Sequence, residues 1–200
     1  MKTQKDKSIR GFMTTMLVTV LLTSIACVSN REETSGLKSL PSGKESKALS
    51  PSADIHTATF LGDLETIRQH ISAGTDLNLR EPSMNSTPLI SAAVFGKTEV
   101  ARALIKAGAK VNIQNNEGST ALHSAAFLCR TEIVKMLLEK GADKDIKNIY
   151  GSTALESVEG PFYEVKTIYD EFNKKLGPMG FKLDYEHVEA SRPVIASMLQ

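Results

Sequence analysis

The chain has few of the residues on which disulfide-stabilised domains and nucleic-acid-binding modules depend. It contains two cysteines and no tryptophan, and aromatic residues make up only 6% of it. Two cysteines cannot form a disulfide framework. The formal charge is 24 − 23 = +1, so the concentrated basic surface that nucleic-acid binding requires is missing. We therefore expect no nucleic-acid partner.

Motifs for cofactors and metals are also missing from the 200 residues. The sequence has no glycine-rich phosphate loop, no CxxC pair and no HExxH motif. Without such motifs we expect no cofactor, no metal and no catalytic site, and the sequence does not suggest an enzyme.

The longest uncharged run follows a basic N-terminus. The stretch MKTQKDKSIR precedes sixteen uncharged residues, GFMTTMLVTVLLTSIA, and then Cys27. A membrane-spanning helix needs about 20 apolar residues, whereas the stretch before Cys27 has sixteen residues and contains four threonines. A basic segment, an apolar segment and a small residue at Ala26 are typical of a signal peptide. We assign residues 1–26 to it.

The segment TSIAC resembles a bacterial lipobox, in which the cysteine is lipidated. Ser24 departs from that pattern, because leucine is usual there. We expect Cys27 to carry lipid; cleavage near Ala26 without lipidation and an uncleaved anchor are the alternatives. Each alternative predicts a location outside the cytoplasm. We expect a periplasm-facing lipoprotein of the cell envelope, or a secreted protein when Cys27 carries no lipid.

Residues 28–52 are rich in Ser, Lys, Glu, Gly and Pro and lack aromatic residues. Such a composition cannot bury enough surface to offset the entropy of ordering. We therefore interpret 27–52 as the lipidated cysteine followed by a disordered tether.

From residue 53 the chain repeats itself. The triplets beginning at Thr87, Thr120 and Thr153 lie 33 residues apart (120 − 87 and 153 − 120). A period of this length indicates a solenoid in which each repeat buries its apolar face only by stacking on its neighbours. Ile133, Val134, Leu137 and Leu138 have the spacing of one apolar helix face.

The copies GSTALHSAAFLCRTEIVKMLLEKGADKDIKN and STPLISAAVFGKTEVARALIKAGAKVNIQNN resemble the ankyrin consensus. The resemblance covers about residues 53–176, with an atypical first copy and a degenerate fourth. It implies an all-α solenoid with short β-hairpin-like turns. Residues 177–200 are interpreted as a C-terminal helical cap, with one helix over 185–191 and a second beginning at Pro193. A tail that docks elsewhere is the alternative.

Two residues of the third copy could suggest chemistry, but the repeat gives both a structural role. The resemblance implies that His123 hydrogen-bonds around the turn and to Thr120, with His56 in the same place in the first copy. Cys129 aligns with Gly62 and Gly96, at a turn where glycine is favoured because φ is often positive. We expect its thiol to be exposed and oxidisable, an adventitious thiol with no role as a nucleophile.

The resemblance also implies partner binding, through two side chains near the end of each first helix. A large apolar pair recurs there in three copies, and we call these pairs the ladder: Phe60-Leu61, Val94-Phe95 and Phe127-Leu128. The ladder is either an exposed partner surface or packed onto adjacent helices. The turn tips add a second group, which we call the tip row: Gln114, Asn116, Glu117, Ile149 and Tyr150.

The sequence thus predicts a monomeric, membrane-tethered module that binds another protein and makes no bonds. Two alternatives stay open. One is an accessory subunit that stabilises a periplasmic enzyme. The other is a hydrolase-type enzyme with a site in the C-terminal segment, using Asp184, Tyr185, Glu186 or His187.

Overall fold

The computed structural model describes residues 51–200, so Cys27, the signal peptide and almost all of the tether lie outside the described residues. Within this part the secondary structure is entirely helical. The helices are α1 (Ile55–Leu61), α2 (Leu64–Ser72), α3 (Pro88–Val94), α4 (Thr98–Lys106), α5 (Ala121–Phe127), α6 (Thr131–Glu139), α7 (Phe162–Leu176) and α8 (Tyr185–Leu199), with a 3₁₀ turn at Gly177–Met179.

The first six helices form three antiparallel pairs that stack into two layers. The inner layer is α1, α3 and α5, and the outer layer is α2, α4 and α6; each helix contacts its own partner and its neighbour in the same layer. Ala92, Ala93, Ala125 and Ala126 are fully buried in the inner layer. Their small side chains let adjacent helices approach closely, which explains why the sequence places pairs of alanine there.

The inner helices α1, α3 and α5 each begin at a residue whose side chain caps the helix N-terminus. Thr87 and Thr120 have extended backbones, and their hydroxyls accept hydrogen bonds from the amides of Ile90 and His123. Asp54 does the same for α1, through the amides of His56 and Thr57. These bonds satisfy amide groups that a helix start leaves free.

The turn within each pair adopts the left-handed conformation. Its φ is +79° at Gly62, +63° at Gly96 and +54° at Cys129. The positive φ expected at Cys129 is therefore present. An L-residue in this region is strained by roughly 1 kcal/mol or more, so the packing of the cysteine side chain must offset that cost.

Hairpin-like turns connect one pair to the next and are joined to each other by hydrogen bonds. Within a turn, the Asn115 amide donates to the Ser119 carbonyl at 3.0 Å. Between turns, the amide of Asn116 donates to Met84 and the amide of Ile149 donates to Glu117, both at 2.9 Å. Backbone hydrogen bonds thus join the turn tips to one another along one edge of the stack.

The fourth copy departs from the others because its first helix does not form. Residues 154–158 make turns instead, and Glu156 accepts hydrogen bonds from the amide and hydroxyl of Thr153. Gly160 and Pro161 follow at once. A residue before proline is disfavoured from the helical region, so no room is left for a helix of the usual length.

The chain ends in two long helices that fold back on each other, which we call the C-terminal hairpin (residues 162–199). Asp184 caps α8 through the amides of Glu186 and His187, as the sequence indicated. The predicted break at Pro193 is wrong: α8 continues through it. Proline removes one amide hydrogen bond, but Pro193 and Glu189, whose carbonyl loses its partner, are both exposed to water.

None of the helices within residues 51–200 combines the length and the apolar character that crossing a membrane demands.

The turn edge yields a test with a matched control. A Cβ at Gly118 (φ +68°) would lie 2.9 Å from the Ile149 amide nitrogen, whereas a Cβ at Gly141 (φ +80°) would meet nothing within 4 Å. Gly141→Ala should lower the free energy of unfolding by about 1 kcal/mol. Gly118→Ala should lower it by at least about 1 kcal/mol more. Urea unfolding measures both, and equal losses would contradict the turn-to-turn contact.

Candidate partner-binding surface

The C-terminal hairpin covers the third pair of the ladder. Phe127 is 4% exposed and Leu128 is 1% exposed. The Phe127 ring stacks on Tyr169 of α7, with centroids 5.0 Å apart, and lies 5.5 Å from the ring of Phe172. Of the two interpretations of the ladder, the packed one therefore applies to this pair, because α7 lies across the inner layer.

The first two pairs of the ladder are less covered. Val94 is buried, Phe60 and Phe95 are half-buried, and Leu61 is 64% exposed. The rings of Phe60 and Phe95 make an edge-to-face contact at 4.8 Å, an arrangement that aromatic pairs favour. The exposed apolar surface that remains from the ladder thus lies at its first two pairs, around Leu61.

A cavity of about 210 Å³ lies between these pairs and the C-terminal end of α7. Phe60, Ile90 and Phe95 line it from the repeats, and Phe172 and Leu176 line it from α7. The helix α7 therefore runs along the inner layer from the third repeat towards the first. It fills the space tightly at Phe127 and loosely at the other end.

A buried cation fixes the hairpin to the fourth copy. Arg192 is 2% exposed, and its guanidinium donates to the carbonyls of Ser157, Glu159 and Gly160 and to the hydroxyl of Tyr169. That hydroxyl donates in turn to the Phe127 carbonyl at 2.7 Å. Burial raises the pKa of Tyr169, so its hydroxyl stays protonated and can serve as the donor.

Cys129 is buried, which corrects the expectation of an exposed thiol. It is 1% exposed, and its sulfur lies 3.6 Å from the carbonyl oxygen of Val188 on α8. Burial raises its pKa to about 11. A thiolate is the reactive form of cysteine, so this thiol is inert at neutral pH and serves packing.

His123 makes the hydrogen bonds that its position in the repeat implied. Its Nδ1 accepts from the Thr120 amide at 3.3 Å, and its Nε2 lies 3.1 Å from the Ser152 carbonyl in the next turn. Nε2 therefore carries the proton. Desolvation by burial lowers the pKa of His123, and protonating Nδ1 would break the bond from Thr120. The ring joins the third and fourth copies as a neutral group.

The tip row divides into buried and exposed members. Gln114 and Asn116 are exposed and Tyr150 is half-buried, whereas Glu117 is only 2% exposed. The side chain of Gln114 donates to the carbonyls of Gly118 and Lys147 and so bridges two turns. The Ile149 side chain is 62% exposed, although its backbone amide is hydrogen-bonded to the neighbouring turn. It presents an apolar side chain on a rigid tip.

Three of the four polar residues suggested for an enzyme, Asp184, Tyr185 and His187, have other partners in the structure. The Asp184 carboxylate caps α8, and the Tyr185 hydroxyl donates to Asp170 and accepts from Asn173. His187 lies 3.3 Å from Ser191 on the same helix. Among residues 51–200, no three histidine, cysteine or acidic side chains are grouped as a metal would need.

Sequence reasoning missed the residues that shape this surface most, namely Tyr169, Phe172 and Arg192. The first two were within reach, because Val165, Tyr169, Phe172 and Leu176 follow the three- and four-residue spacing of one helix face. Arg192 gave no signal, since an arginine within a helix is ordinarily exposed.

The molecule is a stack of helix pairs with ordered turn tips, and the C-terminal hairpin covers one end of the stack. These features define a helical repeat scaffold, a class of proteins that bind partners with their extended surface. A comparison of the sequence with models of known protein families identifies the type of repeat. Residues 55–148 match the model of ankyrin repeats, in three copies. The chain therefore contains ankyrin repeats, and its fold is the helical solenoid that the sequence predicted.

A comparison with characterised proteins also matches the human DNA-binding protein RFXANK. The two sequences are 32% identical over 90 residues, which is 45% of this chain and 32% of the relative. The chain thus spans about a third of the length of that protein.

The buried histidine predicts a pH dependence of stability. The pKa of His123 is lowered in the folded state, so below its ordinary value of about 6.5 the unfolded chain binds more protons. Stability should be full above pH 7 and fall as the pH drops towards 5, by up to about 1.4 kcal/mol per pH unit for each such histidine.

Chemical unfolding at several pH values checks this. His123→Gln should flatten the slope, because a glutamine side chain does not titrate in this range. The same slope in wild type and His123→Gln would contradict the role given to the ring.

Proposed function

We propose that the protein is a binding module that recognises another protein through the tip row and the exposed part of the first two ladder pairs, around Leu61. We also propose that it works outside the cytoplasm. Ankyrin repeats indicate protein–protein interaction as a class. The choice of this surface rests on one observation, the exposure of large apolar side chains on rigid elements: Ile149 is 62% exposed and Leu61 is 64% exposed.

The rigidity of these positions favours recognition. The Ile149 backbone is bound to the neighbouring turn, and Leu61 ends a helix that is capped and packed on α2 and α3. Binding to a preorganised surface avoids the entropic cost of ordering it. An apolar side chain held in this way serves as an anchor for a partner pocket.

The balance of charge supports a protein partner over nucleic acid. The whole chain carries +1, and without residues 1–26 it carries 20 − 22 = −2. The relative RFXANK is a DNA-binding protein by name. We do not extend DNA binding to this chain, because phosphate contacts require clustered basic side chains. We propose a monomer that binds one protein partner, as an independent module or as an accessory subunit.

For the location, we propose a lipid anchor at Cys27 that holds the repeats at a membrane surface, with 28–52 as the tether. The support is the basic segment, the uncharged run and the TSIAC sequence.

Three single substitutions test the surface by affinity capture and mass spectrometry from intact cells. Ile149→Ser and Leu61→Ser should each reduce recovery of a stoichiometric partner by tenfold or more, since hot-spot side chains contribute about 2 kcal/mol. Leu79→Ser is the matched control, because Leu79 is also 50% exposed but belongs to neither surface. Full recovery with both surface variants, folded by circular dichroism, would contradict the proposed site.

The anchor has its own test. Cys27→Ser should move the protein from the membrane fraction to the soluble fraction or the medium, because one lost diacyl group removes the membrane affinity. Fractionation with immunoblotting measures it, and a Cys129→Ser variant, whose cysteine is buried, should stay with the membrane. Continued membrane association of a Cys27→Ser chain that has lost residues 1–26 would rule out lipidation there.

A further inference from the structure

We propose that the cavity between the C-terminal hairpin and the first two repeats binds a medium-chain aliphatic carboxylate, with its chain inside and its carboxylate at Lys175. This site shares Phe60, Val94 and Phe95 with the ladder but not Leu61 or Ile149, the two side chains proposed as anchors for a protein, and it does not depend on that proposal.

The cavity exists only because α7 lies over the inner layer. Its walls come from residues more than a hundred positions apart in the chain, such as Phe60 on α1 and Leu176 on α7. With α7 in place, the lining residues Ile90, Val94 and Phe172 are buried. The lining residues Lys175 and Met179 are exposed, so a small molecule can enter the cavity beside them.

The walls select the chemistry of the ligand. Phe60, Ile90, Val94, Phe95 and Phe172 are apolar and dominate the lining. Polar side chains such as His56, Ser91 and Asn115 form the smaller part of the lining, so a sugar or nucleotide would recover there only part of the hydrogen bonds that it makes to water. An aliphatic chain loses nothing of this kind and gains from leaving water.

The volume sets the length of the chain. An apolar protein cavity of about 150 Å³ binds benzene, which has six carbons. In proportion, the 210 Å³ here accommodate about eight carbons. This matches an octanoyl-sized chain.

The charges on the lining place the head group. Lys175 is the cation at the rim, and its Nζ is 3.9 Å from Glu171 in an exposed pair. Such pairs are weak, so the ammonium is available to a ligand carboxylate. Glu81 also lines the cavity, but its carboxylate accepts hydrogen bonds from the amides of Ser83, Met84 and Ser86. Its negative charge is therefore directed into the turn, away from the rim.

The test is isothermal titration of the purified protein with octanoate, and with octanol as the uncharged probe. Octanoate should bind saturably at one site. Two substitutions of lining residues on the same helix, Val94→Phe and Ser91→Leu, fill the cavity from different positions. Each should weaken octanoate binding at least tenfold in a chain that keeps its helical spectrum and its cooperative thermal transition.

Lys175→Gln tests the head group. It should weaken octanoate about threefold to fivefold, the range of an exposed ion pair, and leave octanol unchanged; Lys174→Gln, one residue away and not part of the lining, is the control. Lack of saturable octanoate binding below its micelle concentration would overturn the proposal. So would full affinity in a folded cavity-filled variant, or an equal effect of Lys175→Gln on both probes.

Discussion

The structure depends on helix stacking, because none of its repeat helices could stand alone. The six helices of the three pairs are seven or nine residues long, and isolated helices shorter than about 12 residues are marginal in water. Each is held by its partner and its neighbours, at contacts made close by fully buried alanines such as Ala92 and Ala125. The positions of the turn tips, and hence of Ile149, follow from that stacking.

A stack of this kind must end, and the way this one ends determines what its surface can do. The fourth copy lacks its first helix, and the C-terminal hairpin covers the apolar face left by the third pair. Arg192 and Tyr169 fix the hairpin by hydrogen bonds to backbone carbonyls. The same α7 that closes the end also passes over the inner layer. The cap has therefore turned the third pair of the ladder into part of the interior.

Much of the fold was predictable because it is local or repeated. The 33-residue period predicted the helix pairs, and alignment with Gly62 and Gly96 predicted the positive φ of Cys129. The burial of Phe127 was not predictable, since it depends on where residues 162–176 lie in space, about 40 positions along the chain. The continuation of α8 through Pro193 was missed for another reason: water can satisfy an exposed carbonyl that proline leaves without a partner.

The path of α7 also changes how the molecule should fold. In an open solenoid each repeat touches only its neighbours, so the ends can fray independently and folding can begin anywhere. Here Phe60 of the first helix and Met179 beyond α7 line one cavity, 119 positions apart (179 − 60). Such long-range closure raises the contact order, which slows folding. It also links the first repeat to the last, so that the array behaves as one cooperative unit with no free inner end.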